Sequence, residues 1–273
     1  MTRFTTSADG TGIAYSVTGS GPALVLVDGA MCHRMFGPST ELASVLDKNF
    51  TVYTYDRRGR GETGDGATPW SLEREVEDID AVIREAGGSA FVFGVSSGAV
   101  LALEAASRLP SISRLAIYEA PFVVDDTYEP RPADIVERMN DMLARGDRSG
   151  MLSTFMKLVG VPAFGLAIMK LTPVWKKLKP VAHTLPWDLT ILGDDGRGEP
   201  LPTDRWKVEV PTLAMDGGKS PEYLRNAMKN VAEVVGADHR TLPGQTHMYK
   251  SSVMAPELVE FFSRAQRTAG PIA

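Results

Sequence analysis

The sequence predicts an α/β architecture: a mostly parallel sheet with helices on both faces, interrupted once by a helical insertion. Three observations carry that prediction. Short apolar runs such as Ala23-Leu24-Val25-Leu26-Val27 are continuous rather than alternating, as in strands covered on both faces. Strands and amphipathic helices alternate through most of the chain, the pattern of parallel strands joined by crossover helices. The stretch Phe91-Val92-Phe93-Gly94-Val95-Ser96-Ser97-Gly98 leads from a buried strand across Gly-x-Ser-x-Gly into Leu101–Ala106, a strong helix former. Strand, Gly-bracketed serine and helix together form the setting of a nucleophile elbow.

Taken in order, Arg3–Thr6 and Gly12–Thr18 read as strands joined by the hairpin signal Ala8-Asp9-Gly10-Thr11. Ser20-Gly21-Pro22 breaks the chain before the Ala23–Val27 strand, which ends in Asp28-Gly29-Ala30. A helix is expected over Ser39–Leu46 and a strand over Phe50–Tyr55, followed by Asp56-Arg57-Arg58-Gly59-Arg60-Gly61. Ser71 is placed to cap a helix with Leu72, Val76, Ile79, Val82 and Ile83 on one face. Glu73, Arg74, Glu75, Glu77 and Asp78 then form its solvated face, and Gly87-Gly88 stops it. After the elbow, Arg114–Glu119 is a strand ended by Pro121.

The alternation stops between Phe122 and Arg205. Ile135–Ala144 and Leu152–Val159 read as amphipathic helices, and further apolar segments are interrupted by Pro162, Pro173, Pro180 and Pro186. Met151, Met156, Met169, Phe155, Phe164, Trp175 and Trp187 give this stretch material for packing onto the core or lining a cleft. The alternation then resumes with a strand at Val210–Asp216, a helix at Pro221–Val235 and a short strand at His239–Leu242. A terminal helix is expected over Pro256–Arg267, with Pro256 in its first turn. Residues 1–121 and 206–273 are therefore read as the core and 122–205 as an inserted helical cap.

Composition bounds the function. The chain has 273 residues, 43% hydrophobic and 23% charged, as in an ordinary globular domain. A net charge of −5 argues against nucleic acid and acidic membrane surfaces as partners. The single cysteine, Cys32, excludes an internal disulfide and suits a reducing, cytoplasmic compartment. No apolar run reaches the roughly 20 residues that span a bilayer, and the N-terminus carries no apolar signal core. There is no cysteine–histidine cluster for a metal and no phosphate loop, so no cofactor or metal is expected. The expected partner is a small-molecule substrate, and the chain is compatible with a homodimer.

The elbow carries the chemistry. Gly94 and Gly98 lack a Cβ, so strand and helix can close around a strained Ser96. The helix N-terminus leaves N–H groups beside the serine, suited to a developing negative charge. A serine hydroxyl needs an imidazole to take its proton. The histidines are His33 after the third strand, His183 in the insertion, His239 at the start of a short strand, and His247 in a glycine-bearing loop after the last strand.

The order of features resembles the α/β-hydrolase fold. The resemblance rests on Asp28-Gly29-Ala30, on Tyr55-Asp56-Arg57-Arg58-Gly59-Arg60-Gly61, on the Ser96 elbow and on Gly244-Gln245-Thr246-His247-Met248. It implies an eight-stranded sheet with the active site at the C-terminal strand ends, in keeping with the rule for open parallel sheets. It assigns the nucleophile to Ser96, the base to His247 and the oxyanion donors to the N–H groups of Ala30 and Ser97. It also implies that the arginine-rich stretch braces loops near the elbow, with Asp56 buried among hydrogen bonds.

Two positions depart from the family pattern. The usual acid position, after the seventh strand, falls on Ser220, which cannot supply a charge. Glu119, ending the sixth strand, is the favoured replacement, because a glutamate closing an apolar strand needs a partner when buried. Asp216 is the alternative acid. Asp28 stands where the family often has histidine, and either braces its loop or faces the pocket. Asp28, Met31, Cys32, His33 and Met248 are candidate pocket walls.

The expected activity is that of a serine hydrolase acting on a small to medium apolar ester, lactone or thioester through an acyl-enzyme. Two other readings fit the same residues: non-hydrolytic chemistry on this fold, such as C–C cleavage or cyclisation, and a catalytically inactive ligand-binding protein.

Overall fold

A computed structural model describes residues 1–66 and 69–264. Its strands are β1 (Arg3–Thr6), β2 (Gly12–Thr18), β3 (Ala23–Val27), β4 (Thr51–Tyr55), β5 (Ala90–Val95), β6 (Ile112–Tyr118), β7 (Thr212–Gly217) and β8 (Asp238–Leu242). They form one eight-stranded sheet in the order β1-β2-β4-β3-β5-β6-β7-β8. β2 pairs antiparallel with both β1 and β4, and the remaining neighbours are parallel.

Strand parity sorts the core into two layers. Along β3, Leu24 and Leu26 face one side, against α1 (Pro38–Leu46) and α10 (Ser251–Ser263). Val25 and Val27 face the other, against α2 (Leu72–Glu85), α3 (Ser97–Ala106) and α9 (Glu222–Val235). Each inner strand is thus covered twice, which is why β3 reads as an unbroken apolar run.

Between β6 and β7 the described chain is helical: α4 (Ile135–Ala144), α5 (Arg148–Leu158), α6 (Ala163–Lys170), α7 (Pro173–Leu178), a 3-10 turn (Lys179–Thr184) and α8 (Leu185–Ile191). Its buried Met151, Met156, Trp175, Leu185 and Leu189 join the α2–α3 core layer. Among the described residues, no helix is long and apolar enough to cross a membrane.

Three expectations need correction. α10 starts at Ser251, and Pro256 lies inside it rather than in its first turn. The missing proline N–H costs one helical bond, and packing of Met254, Leu258, Phe261 and Phe262 against the sheet holds the helix across it. The expected continuation to Arg267 lies outside the described residues. Ser71 occupies the N-cap position of α2, but its side chain makes no capping bond.

The third correction concerns charge. Glu75 and Asp78 are buried rather than solvated. Glu75 accepts from Arg57 Nε and Nη2 at 2.7 and 2.9 Å, and Asp78 accepts both Nε and Nη2 of Arg58 at 2.7 Å. These fork-shaped pairs dock α2 onto the β4 loop. Glu75→Ala removes the two-bond partner of the buried Arg57, leaving Asp188 as its remaining carboxylate, and is expected to cost about 3 kcal/mol. Glu77→Ala breaks only a partly exposed pair with Arg74 and is expected to cost less than about 0.5 kcal/mol. Urea unfolding of the two variants checks the difference, and equal losses would refute the docking role of Glu75.

Candidate active site

β5 and β6 end level with each other at the centre of the sheet. Val95 pairs with Tyr118, Ser96 N–H donates to Tyr118 O at 2.9 Å, and Glu119 N–H donates to Met215 O at 3.1 Å. Ser96 and Glu119 are therefore the first residues beyond neighbouring strand ends. Both leave the sheet in the left-handed region, with φ of 57° and 48°. Among the described non-glycine residues, Met31, at 63°, is the remaining one with positive φ, and it too lies at this end of the sheet. Such backbone is costly for residues with a Cβ and clusters at functional sites.

The glycines around Ser96 are required by space. A Cβ on Gly94 would stand 2.4 Å from Gly98 O, and one on Gly98 would stand 2.3 Å from Val27 O. Both lie where α3 packs on the sheet. A Cβ on Gly29 would stand 2.8 Å from Ser96 Cβ, so the Gly29-Ala30 loop lies directly against the serine. Ser97 opens α3, and its N–H belongs to the first helical turn, whose donors have no partner within the helix.

His247 lies in the loop after β8. Tyr118 Oη donates to Thr246 O at 2.7 Å, and Lys219 N–H donates to Gln245 O at 2.8 Å, pinning that loop to the strand ends. His247 Nδ1 lies 2.7 Å from Glu119 Oε2. The second carboxylate oxygen of Glu119 accepts from Gly217 N–H at 2.7 Å and from Ser220 Oγ at 2.5 Å. Glu119 is fully buried, with these groups as its partners. The structure thus brings Ser220 and Glu119 together: the residue at the usual acid position donates to the carboxylate of the neighbouring strand.

Asp216 is elsewhere. Its Oδ2 lies 2.6 Å from His239 Nε2 on β8, so the alternative acid is paired with a different histidine.

Two lobes of one cleft open at Ser96 and His247. The inner lobe, about 210 Å³, is walled by Leu158, Leu189, Leu192 and Tyr128 of the insertion and by Tyr223. Burial pushes the Tyr223 phenol up to about 12, so it stays neutral. The outer lobe, about 590 Å³, is bounded by Met31, Cys32, Phe36, Leu178 and Met248. Ala30, Ser96, Phe155, Val159 and His247 border both. Burial raises the Cys32 thiol to about 12, which leaves it a neutral wall residue at ordinary pH.

Asp28 and His33 line neither lobe. Asp28 turns toward α1 and accepts from Ser39 Oγ at 2.6 Å. Burial lifts its pKa to about 6 against the pull of Ser39, Arg60 and Arg57. It therefore braces the loop rather than facing the reacting centre. His33 forms a β-bridge with Phe36, with its ring beside that phenyl group, and His183 bonds Asp65 through Nε2 at 2.9 Å.

One buried group of the site escaped the sequence reading. Asp188 of α8 accepts from Ser97 Oγ at 2.8 Å, Arg57 Nη1 at 2.9 Å and Arg60 Nη2 at 2.6 Å. Burial opposes its charge, but Arg60 and Arg57 outweigh it and hold the carboxyl below its usual range. Arg60 also donates to Gly29 O at 2.8 Å, and Arg57 to Asp28 O at 3.3 Å. One carboxylate of the insertion thus ties both arginines to the elbow and to the loop facing Ser96. Its signal in the sequence is that it is the sole acid between Asp147 and Asp194. Asp56, by contrast, accepts Arg34 N–H and Glu62 N–H at 2.7 and 2.9 Å, as the resemblance implied.

The profile of the alpha/beta hydrolase family matches residues 20–259. Among curated proteins, an uncharacterized hydrolase, YraK, of Bacillus subtilis (strain 168) is 29% identical over 161 residues, 56% of this chain and 57% of that one. A pimeloyl-[acyl-carrier protein] methyl ester esterase of Stenotrophomonas maltophilia (strain R551-3) is 36% identical over 147 residues, 52% of this chain and 53% of that one. The chain spans about half the length of the curated relatives it matches. The crystal structure of an alpha/beta hydrolase from Sphaerobacter thermophilus DSM 20745 is 45% identical, with a TM-score of 0.87 over 95% of this chain and 100% of that one. An enol-lactonase from Burkholderia xenovorans LB400 shares the fold at 16% identity, with a TM-score of 0.71 over 96% of this chain and 100% of that one. Because the profile runs through both halves of the sheet and the segment between them, this chain belongs to the alpha/beta hydrolase family.

Proposed function

We propose that this protein is a serine hydrolase acting on a small to medium, largely apolar ester, lactone or thioester, with Ser96, His247 and Glu119 as its triad. The observation that carries the proposal is the 2.7 Å contact between His247 Nδ1 and the fully buried Glu119. A buried carboxylate at that nitrogen fixes the tautomer that leaves Nε2 free to accept a proton, and it stabilises the imidazolium that results.

Ser96 Oγ attacks the carbonyl carbon as its proton passes to His247 Nε2. The oxyanion accepts from the N–H groups of Ala30 and Ser97. Collapse breaks the bond to the leaving group, which takes the proton from His247. Water then loses a proton to His247, attacks the acyl carbon and releases the acid, restoring Ser96. The two lobes that meet at Ser96 give acyl and leaving groups separate, mostly apolar walls. Residues 122–205 act as a cap over the core of 1–121 and 206–273, with Asp188 holding the cap to the oxyanion loop. Relatives named as a methyl ester esterase and an enol-lactonase support ester or lactone chemistry. The motives for non-hydrolytic chemistry weaken once Asp28 lies outside both lobes and Glu119 stands beside Ser220.

A fluorophosphonate probe at neutral pH is expected to form one adduct, on Ser96, visible by peptide mass spectrometry. Ser96→Ala is expected to abolish the adduct and lower turnover of a simple aryl ester by roughly 10⁴-fold or more; retained turnover would reject the acyl-enzyme. Glu119→Gln keeps the shape but not the charge, and is expected to lower kcat by roughly 10³- to 10⁴-fold. Asp216→Asn should leave kcat within about threefold, because its partner is His239 and removing that pair changes no charge-assisted bond to His247. The reverse ranking would move the acid to Asp216. Ser220→Ala removes one bond to the buried carboxylate and is expected to lower kcat by roughly tenfold, with steady-state kinetics as the check.

A further inference from the structure

The net charge of −5 conceals an uneven distribution. Residues 148–187 hold Arg148, Lys157, Lys170, Lys176, Lys177 and Lys179 and no aspartate or glutamate. The five lysines are exposed. The same stretch carries an exposed apolar surface. Phe164 is 79% exposed and Leu171 88%, and Val159, Ile168 and Val174 are also exposed. α6, Ala163–Lys170, buries Leu166 and half-buries Met169 against the core, and turns Phe164 and Ile168 outward. This surface reaches the cleft: Val159 borders both lobes, and Lys177 lies 5.9 Å from the ring of Phe36 in the outer lobe. Met248, another exposed residue, borders the same lobe.

From this juxtaposition we infer that the α6–α7 face docks on an anionic lipid surface and presents the mouth of the cleft to it. A short helix with outward aromatic and aliphatic groups, flanked by lysines, matches the requirement for lying in a headgroup layer. The lysine stems can extend toward phosphates while Phe164 and Leu171 enter the acyl boundary. The rest of the chain is acidic, so an anionic surface orients the molecule with this face toward it. A second copy is a poorer occupant for a twofold contact, because each copy brings the same lysines and no carboxylate from this stretch to meet them. The inference concerns docking and holds whatever bond the enzyme cleaves.

The test is co-sedimentation of the full chain with vesicles of phosphatidylcholine alone and of phosphatidylcholine mixed equally with phosphatidylglycerol. Binding to the mixed vesicles at low salt, none to phosphatidylcholine alone, and release as salt rises are expected. The pair Phe164→Glu with Leu171→Glu, and separately Lys176→Glu with Lys179→Glu, should each weaken binding by roughly tenfold or more. Melting midpoint and turnover of a water-soluble ester should stay unchanged, since these four side chains are exposed and outside both lobes. Absence of binding to the mixed vesicles, or binding untouched by either pair, would overturn the inference. So would a dimer in sedimentation equilibrium that Phe164→Glu with Leu171→Glu dissociates, since that result gives the face to a second copy.

Discussion

The Asp188 carboxylate, held between Arg57 and Arg60, is the interaction on which the rest of the site depends. Both guanidinium groups are almost completely buried, and each joins elements that are distant in sequence. Arg57 also grips Glu75 of α2, and Arg60 also donates to Gly29 O. Buried charges are expensive to desolvate, and such a cluster is weak evidence of added stability. Its clearer consequence is positional. Asp188 accepts from Ser97 beside Ser96, so the insertion, the elbow and the Gly29-Ala30 loop share one set of directional bonds. Loosening any one of them leaves a buried charge with one partner fewer.

The second constraint is where the carboxylate that meets His247 stands. β6 and β7 are adjacent and parallel, so a carboxylate at either strand end can approach the loop after β8. In this chain Glu119 takes that place through a left-handed backbone, and the β7 side contributes Gly217 N–H and Ser220 Oγ as donors to it. Donor and acceptor have in effect changed strands. The geometry around the imidazole is retained because it depends on the distance between side chains rather than on which strand carries the charge. Asp216, one strand position from Gly217, meets His239 of β8 instead.

Legibility in the sequence followed the range of each interaction. Local features were plain. The continuous apolar runs marked the doubly covered strands, and the break in alternation after Pro121 marked the helical insertion. The charges of α2 were misread because helical periodicity treats a charged residue as outward-facing. The partners of Glu75 and Asp78, Arg57 and Arg58, lie in a loop 18 and 20 residues earlier. Asp188 stood beyond reach for the same reason, with its partners 91 to 131 residues away. Pro256 was read as a helix start because the local cost of proline is visible in sequence, while the packing of α10 against the sheet that offsets it is not.

By itself, the sequence determined the order of strands and helices, the serine elbow with its two glycines, the histidine that follows the last strand, and a choice of two carboxylates. These rest on local periodicity, on backbone space at glycine and on chain order, all of which are written along the chain. Tertiary structure alone decided that Glu119 meets His247 while Asp216 meets His239, that Asp28 turns away from the cleft, and that the basic, apolar face of the insertion borders the cleft. Those outcomes turn on pairings between groups 11 to 128 residues apart, or on the shape of a surface assembled from separate segments. Hydrogen bonds and ion pairs of this kind are decided by distances of a few ångströms, which only the folded sheet and its insertion set.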